Sequence, residues 1–311
     1  MHGEHKVAIA GAGTIGVGWA IAFARAGIPV RVFDPDTARL VAAREEIDGR
    51  LRMLDEHGLL RQVVEDVSGR ISYFADLAEA VAEASLVEEC APERLELKRS
   101  LFEELATVAP ARAIVASSTS AISPGELFAG LPNADRCLVT HPTNPPYLLP
   151  VVELVRSAAT SDETADRAAR LFELAGMEPI RVNGEAEGFV VNRLQGALLR
   201  EAYCLLRDGV ATVDEIDLAV RGGLGRRWAI TGPFETADLN TRGGIESHAA
   251  KLGPAYARMG AERGQDDPWT DDLVARATAG RRELLSLDDW ADRVEWRDRR
   301  LMQMQKGQED D

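Results

Sequence analysis

Near its N-terminus the chain runs from the apolar stretch Lys6-Val7-Ala8-Ile9-Ala10 straight into Gly11-Ala12-Gly13-Thr14-Ile15-Gly16. A second apolar stretch, Val30-Arg31-Val32-Phe33, then ends in Asp34. This order constrains the fold more than any other feature of the sequence. A strand that meets three glycines at this spacing calls for a tight turn at Gly11, a close approach of backbone to a ligand at Gly13, and a helix packed hard against its sheet at Gly16. The free N–H groups and positive dipole end of that helix form an anion site suited to a pyrophosphate. An acid at the end of the following strand, about 20 residues on, is where dinucleotide-binding folds hold the adenosine ribose hydroxyls. Gly11, Gly13, Thr14, Ile15, Gly16 and Asp34 are therefore cofactor-binding candidates. The carboxylate would repel a 2′-phosphate, so NAD is expected rather than NADP, although Arg31 and Arg39 stand near enough in sequence to soften that preference.

The rest of the first half repeats the pattern. The periodicity predicts a helix from Thr37 to about His57, with Leu40, Ile47, Leu51 and Leu54 on one face. Short apolar runs follow at 71–74, 86–90, 113–116, 137–141, 151–155 and 178–182, separated by helical patterns. That alternation predicts an α/β fold with a doubly wound, mostly parallel sheet. Ser123-Pro124-Gly125-Glu126 reads as a helix start, and so does Asp162, whose helix Gly176 would close. From about Gly184 the texture turns helical. Gly188-Phe189 opens a long amphipathic pattern that Gly209 ends, and Thr212-Val213-Asp214-Glu215 is a capping box. The expected organisation is a nucleotide-binding domain over 1–184 and an all-helical domain over 185–311, with the boundary within Val182–Glu187. Leu194, Leu198, Leu199, Leu205 and Leu206 give the helical part more apolar surface than a small lobe needs, which points to subunit association.

Charge and composition exclude several classes. The chain has 311 residues and a net charge of −15 from 36 basic and 51 acidic side chains, a field that repels nucleic acid. The start of the chain has no apolar signal core, and no stretch approaches the roughly 18 apolar residues of a membrane span, so a cytoplasmic location is expected. Cys90, Cys137 and Cys204 are too few and too scattered for a zinc or disulfide motif, and they read as buried small apolar residues; no metal site is expected. The charge runs Arg297-Asp298-Arg299-Arg300 and Glu309-Asp310-Asp311 read as solvated surface or tail.

Chemistry concentrates at the predicted strand ends, where open α/β sheets present their ligand sites. His141 lies at one such end, in Leu138-Val139-Thr140-His141-Pro142-Thr143-Asn144-Pro145-Pro146. Twelve residues on, Glu153 interrupts the apolar run Val151-Val152-Glu153-Leu154-Val155, where a carboxylate needs a partner. If the second strand returns beside the first, Glu153 accepts Nδ1–H of His141 and leaves Nε2 free as a base. The alternative is a structural histidine beside an unrelated surface glutamate. Ser117-Ser118-Thr119-Ser120 follows another strand end, and Ser118 to Ser120 also suit a plain polar turn. No GxSxG elbow surrounds these serines, which argues against a hydrolase. Of Glu88 and Glu89, one is expected at the cofactor edge and the other as a surface charge.

Taken together, the glycine loop, Glu89 to Lys98, Ser117 to Ser120, His141 to Glu153, and Gly188-Phe189-Val190-Val191-Asn192-Arg193-Leu194 resemble the L-3-hydroxyacyl-CoA dehydrogenase superfamily over nearly the whole chain. Ser118 where the acyl-CoA enzymes usually carry Asn, Pro145-Pro146-Tyr147-Leu148-Leu149-Pro150, and Gly223-Leu224-Gly225-Arg226-Arg227-Trp228-Ala229 are most similar to its lambda-crystallin, or L-gulonate 3-dehydrogenase, branch, with L-carnitine dehydrogenases close. The resemblance implies His141 as catalytic base with Glu153 orienting it, and Ser117 and Asn192 on the reacting hydroxyl. It further implies Glu89, Lys98, Ser117 and Asn144 near the nicotinamide end, a site between the domains, and a homodimer through the helical domain. A free hydroxy acid also presents a carboxylate that a guanidinium can hold, which singles out Arg227, with Trp228 beside it, as substrate-binding candidates. A surface role for Arg227 beside Arg226 is the alternative. The implied reaction is NAD-dependent oxidation of a free L-3-hydroxy acid such as L-gulonate. A CoA thioester, drawing on Arg44, Arg50, Arg52 and Arg61, and L-carnitine, drawing on Trp228 or Tyr147, stay open, as does a crystallin-like protein that binds NAD without turnover.

Overall fold

The computed structural model describes residues 5–265 and 270–296. The charge runs at 297–300 and 309–311 lie outside them. Eight strands form one sheet: β1 (Val7–Ala10), β2 (Val30–Phe33), β3 (Ile71–Phe74), β4 (Leu86–Glu89), β5 (Ile114–Ser117), β6 (Cys137–Pro142), β7 (Val151–Val155) and β8 (Glu178–Val182). All eight fall on the predicted runs; β1, β4, β5 and β6, covered on both faces, are buried along their whole length. The spatial order is β3-β2-β1-β4-β5-β6-β7-β8. The chain leaves β1 toward β2 and β3, then returns to place β4 on the other side of β1, which opens a crevice at the carboxyl ends of β1 and β4.

One pair breaks the parallel rule. Only Thr143 to Pro150 join β6 to β7, too short a link for a crossover, so β7 runs antiparallel and sets His141 opposite Glu153. The helix Asp162–Leu174 then crosses over to make β8 parallel to β7.

The two faces of the sheet are covered differently. Helix α1 (Thr14–Arg25) buries nine consecutive residues, Gly16 to Ala24, and brings Trp19 and Phe23 against Phe172, with ring centroids 5.3–5.7 Å apart. Each such buried aromatic contributes about 1.5–3 kcal/mol through burial and roughly 0.5–1.5 more through ring geometry. Helix α2 (Thr37–Glu56) adds Leu40, Ile47, Leu51 and Leu54 to the same core, as the periodicity predicts. On the other face Phe102 and Phe128 pack at 5.0 Å among Val87, Val115, Val139 and Val155.

Three expectations need correcting here. The helix expected to start at Asp162 is capped by Ser161, whose side chain accepts from Thr164 N–H, while Asp162 sits in the first turn and favours the dipole by charge alone. Of the cysteines only Cys137 is buried; Cys90 and Cys204 are partly exposed, because each lies where its element meets a less covered surface. Gly188 and Phe189 do not begin the long helix. Both have positive φ, +75° and +51°, and form a left-handed turn before the helix Val191–Arg207.

The chain divides into two compact units, one ending at Leu199 and the other beginning at Arg200. The described residues of the second are helical: Val213–Leu218, a π-helical turn at Ala219–Leu224, Gly225–Trp228, Pro233–Asn240, Gly244–Glu262 and Asp271–Leu284. Thr212 and Glu215 make the predicted capping box. Fully buried Asp238 anchors this unit. It accepts from Ile245 N–H and Arg282, and its carbonyl accepts from Trp290, so one residue ties several segments together. Among the described residues no helix is long and apolar enough to cross a membrane.

Candidate active site

The glycines do what their spacing predicts. Gly11, with φ +121°, sits so close to the end of β4 that a Cβ would lie 2.8 Å from the Cys90 backbone carbonyl. A Cβ on Gly16 would strike the Gly11 carbonyl oxygen, so α1 begins as near the turn as a helix can. Gly13 has nothing within 4 Å of its would-be Cβ and caps α1 without any side-chain hydrogen bond, leaving an open approach to the free N–H groups of the first turn. Thr14 is exposed there and Ile15 packs against the core. A cleft of about 870 Å³ opens beside them, lined by Gly11, Gly13, Asp34, Arg39, Cys90 and Pro92.

Asp34 closes the rim. One carboxylate oxygen accepts from Ala12 N–H and the other from Asp36 N–H, both at 3.0 Å, which locks the acid to the glycine loop. Arg39 donates to the Ala12 carbonyl and to Glu46. Arg31 donates to the carbonyls of Glu79 and Ala80 and lies 4.1 Å from the Phe74 ring centroid. Arg31 is thus engaged by backbone carbonyls, while Arg39, although paired, still lines the cleft. An open glycine, an uncapped helix start and a fixed acid at the rim fit a dinucleotide with a free 2′-hydroxyl.

Further along the crevice, His141 Nδ1 and Glu153 Oε2 lie 2.6 Å apart across the antiparallel pair. The glutamate is fully buried, and its other oxygen accepts from Val190 and Val191 N–H at 2.7 and 3.1 Å. Burial alone would raise its pKa, but His141 and the two backbone donors outweigh it and hold the carboxyl below its usual range. A carboxylate kept ionised at Nδ1 selects the tautomer with Nε2 unprotonated. The left-handed turn is part of this device. It points two successive N–H groups at Glu153 and lays the Phe189 ring 5.6 Å from the imidazole, which explains why a non-glycine residue holds a strained φ. The sequence gives no cue to this role of Phe189 beyond the glycine before it.

A second buried cluster flanks the first. Glu89 accepts from Lys98 with both oxygens, at 2.8 and 3.0 Å, from Ser117 Oγ at 2.6 Å and from Ala91 N–H. The Ser117 hydrogen is committed to Glu89, so contact with a reacting hydroxyl requires that it turn away. Lys98, also buried, gives its remaining bond to the Ala91 carbonyl. Glu93 is a participant that sequence reasoning passed over. Half-exposed, it lies 3.5 Å from Lys98 and accepts from the Thr119 hydroxyl and from Ser120 and Ala121 N–H. Despite partial burial those donors hold its pKa below normal. The strand-end turn 118–120 is thus tied to Glu93 by its hydroxyl and backbone N–H groups. Asn192 donates its amide to the Ser120 carbonyl at 3.0 Å, and Asn144 is exposed on the loop after β6.

Glu88 contradicts its expected place as a surface charge. Both adjacent glutamates are fully buried, because β4 lies in the middle of a sheet covered on both sides. Glu88 Oε1 accepts from Ser118 Oγ at 2.5 Å and Thr140 Oγ1 at 2.6 Å. Arg227 and Trp228 belong to the second unit, in the short helix Gly225–Trp228; the Nε of Arg227 is buried with no hydrogen-bond partner among the described residues.

Comparison with known proteins settles the lineage. Residues 6–186 match the 3-hydroxyacyl-CoA dehydrogenase NAD binding domain and residues 188–285 the C-terminal domain of the same enzymes. The chain belongs to the 3-hydroxyacyl-CoA dehydrogenase family. Lambda-crystallin of Oryctolagus cuniculus is 36% identical over 304 residues, covering 96% of this chain and 95% of that one. The L-carnitine dehydrogenase of Oceanobacillus iheyensis is 37% identical over 276 residues, 88% and 89% of the two chains. Among solved structures, a diketoreductase superposes with a TM-score of 0.67 at 32% identity, covering 84% of this chain and 95% of its own. As a member of this family the chain is an NAD-dependent 3-hydroxy dehydrogenase, built as a Rossmann-type sheet followed by a helical domain.

Proposed function

We propose that the enzyme oxidises a free L-3-hydroxy acid, with L-gulonate as the leading candidate, to its 3-oxo acid. The observation that carries the reaction type is the 2.6 Å His141–Glu153 pair, held in register by β6 and β7. NAD, when bound, supplies the hydride acceptor. His141 Nε2 takes the hydroxyl proton as hydride leaves C3, and Glu153 stabilises the imidazolium that results. Ser117, turning from Glu89, and Asn192 hydrogen-bond the reacting hydroxyl. Lys98, Glu89 and Asn144 shape the nicotinamide end, Lys98 and Glu89 by holding the Ala91 backbone and the Ser117 hydroxyl around it.

Arg227 is assigned to the substrate carboxylate, with Trp228 alongside. A buried guanidinium nitrogen lacking a partner is costly in isolation and suits an anionic ligand. Two observations weigh against the other substrates. Arg50 is paired with Glu46 and stacks on Tyr147, which occupies both a cation wanted by a CoA phosphate and an aromatic face wanted by carnitine. Arg44 likewise lies over Tyr73. We assign residues 1–184 to the nucleotide domain and 185–311 to the helical domain, place the enzyme in the cytoplasm, and propose a homodimer through the helical domain. The exposure of Leu194, Leu199 and Leu206 on Val191–Arg207 supports association. Light scattering should give about twice the 33.8 kDa chain mass, and a monomer at micromolar concentration would rule the dimer out.

Following NADH formation with L-gulonate, L-3-hydroxybutyrate, L-carnitine and a 3-hydroxyacyl-CoA tests the substrate class, with the highest kcat/KM expected for a free hydroxy acid. Arg227→Ala should then raise KM for that acid about tenfold or more, as loss of a charge-assisted bidentate contact does. An unchanged KM would remove Arg227 from the site, and preference for the thioester would overturn the free-acid reading.

A further inference from the structure

Glu88 takes no part in the reaction proposed above, yet it is among the most completely buried charged-type residues in the protein. Successive side chains of a strand point to opposite faces. Glu89, Ser117, His141 and Glu153 occupy one face, and Glu88, Thr140 and the start of the 118–120 turn occupy the other. Glu88 Oε1 gathers two hydroxyl donors, Ser118 and Thr140, each the chain neighbour of a residue in the reaction centre. Ser118 Oγ in turn accepts from the Trp19 indole N–H at 2.8 Å, which ties the bundle to α1.

We propose that Glu88 is a positioning residue that clamps, from the far face of the sheet, the ends of β5 and β6 and so sets the spacing between Ser117 and His141. This inference rests on the functional reading above for its kinetic consequence but not for its structural one. The surroundings favour an uncharged carboxyl acting through Oε1. Oε2 is buried and has no partner among the described residues. The register partners across the neighbouring strands, Ile9 and Ala116, are apolar, and the Trp19 indole of α1 donates to Ser118 rather than to Glu88. Among the described residues the titratable groups acting on it are Glu89 and Cys90, together with Lys98, which is engaged from the opposite face by Glu89. Burial, partly countered by the Ser118 and Thr140 hydroxyls, raises the carboxyl to about 8.

The test compares Glu88→Leu with Glu88→Gln. The leucine keeps the volume and removes the acceptor; the glutamine keeps a carbonyl oxygen for both hydroxyls and removes the ionisation. Glu88→Leu should lower kcat about tenfold or more by displacing groups on the reactive face, with NAD affinity unchanged. Glu88→Gln should restore kcat to within about threefold and abolish any loss of rate centred near pH 8. The NMR signal of the His141 ring, assigned with His141→Asn, should move in Glu88→Leu and return in Glu88→Gln. That readout needs no substrate, so a wild-type enzyme inactive on every hydroxy acid would sink the functional reading and leave this one tested. Should Glu88→Leu fail to fold, Thr140→Val removes one of the two donors and should give the same kinetic and spectral change in smaller measure. Wild-type kcat together with an unmoved His141 signal in whichever variant folds would overturn the clamp.

Discussion

Glu153 and Glu88 are two fully buried glutamates near the carboxyl edge of one sheet, on opposite faces, and they are satisfied in opposite ways. Glu153 has a partner for each oxygen, His141 on one and two backbone N–H groups on the other, and is held ionised. Glu88 concentrates both donors on one oxygen, leaves the other without a partner among the described residues, and is pushed toward the neutral form. Both side chains are shielded from solvent and burial raises the pKa of each, but the interior around Glu88 is deeper, while at Glu153 the imidazole and two N–H donors, shared between both oxygens, outweigh the penalty. The charged one orients His141, the base of the proposed reaction, and the neutral one lies on the opposite face of the sheet.

The comparison can be broken at two levels. Removing the charge on the reactive face has the largest effect. Glu153→Gln should cut kcat by about 10²–10⁴, the range for losing a base or its correct tautomer, with little change in NAD affinity in steady-state and binding measurements. A loss under threefold would show that Glu153 is only structural.

A smaller effect is the pH dependence of stability, which should have opposite sign at the two sites. The stability that ionised Glu153 contributes is fully present above the usual carboxylate range near ~4.3 and is lost as pH falls through its lower folded value. Glu88 stays protonated in the folded chain while the unfolded chain ionises, so its presence lowers stability progressively from about pH 4.3 up to about 8. Urea unfolding at a series of pH values should therefore show Glu88→Gln gaining on the wild type as pH rises from about 4.3 to about 8, and Glu153→Gln falling behind it as pH rises toward about 4.3 with no further change above. Parallel curves for wild type and both variants would contradict the assigned charge states.

Much of this was legible in the sequence, and the reasons are physical. The central strands, covered on both sides, read as unbroken apolar runs and could be seen, and a glutamate inside such a run announced a buried partner. The His141–Glu153 spacing was readable because a link as short as 143–150 permits only an antiparallel return. Glu88 was not readable: two adjacent carboxylates at a strand end look alike in one dimension, and which face is covered depends on helices distant in sequence, here α1 with Trp19. Phe189 was hidden for another reason. A left-handed non-glycine residue is disfavoured locally and persists only where surrounding contacts impose it, so no local pattern marks it. Ser161 and Asp162 are both good cap residues side by side, and only the backbone geometry chose between them.

The central claim is that His141, set by the antiparallel pair and oriented by Glu153, is the base of an NAD-dependent oxidation while the glycine loop and Asp34 hold the cofactor separately. Measuring turnover and NAD affinity together on purified His141→Asn tests it most directly. The account requires kcat to fall by at least about 10²-fold with the dissociation constant for NAD within about twofold of wild type. Retained turnover, or loss of NAD binding with the fold intact, would contradict it.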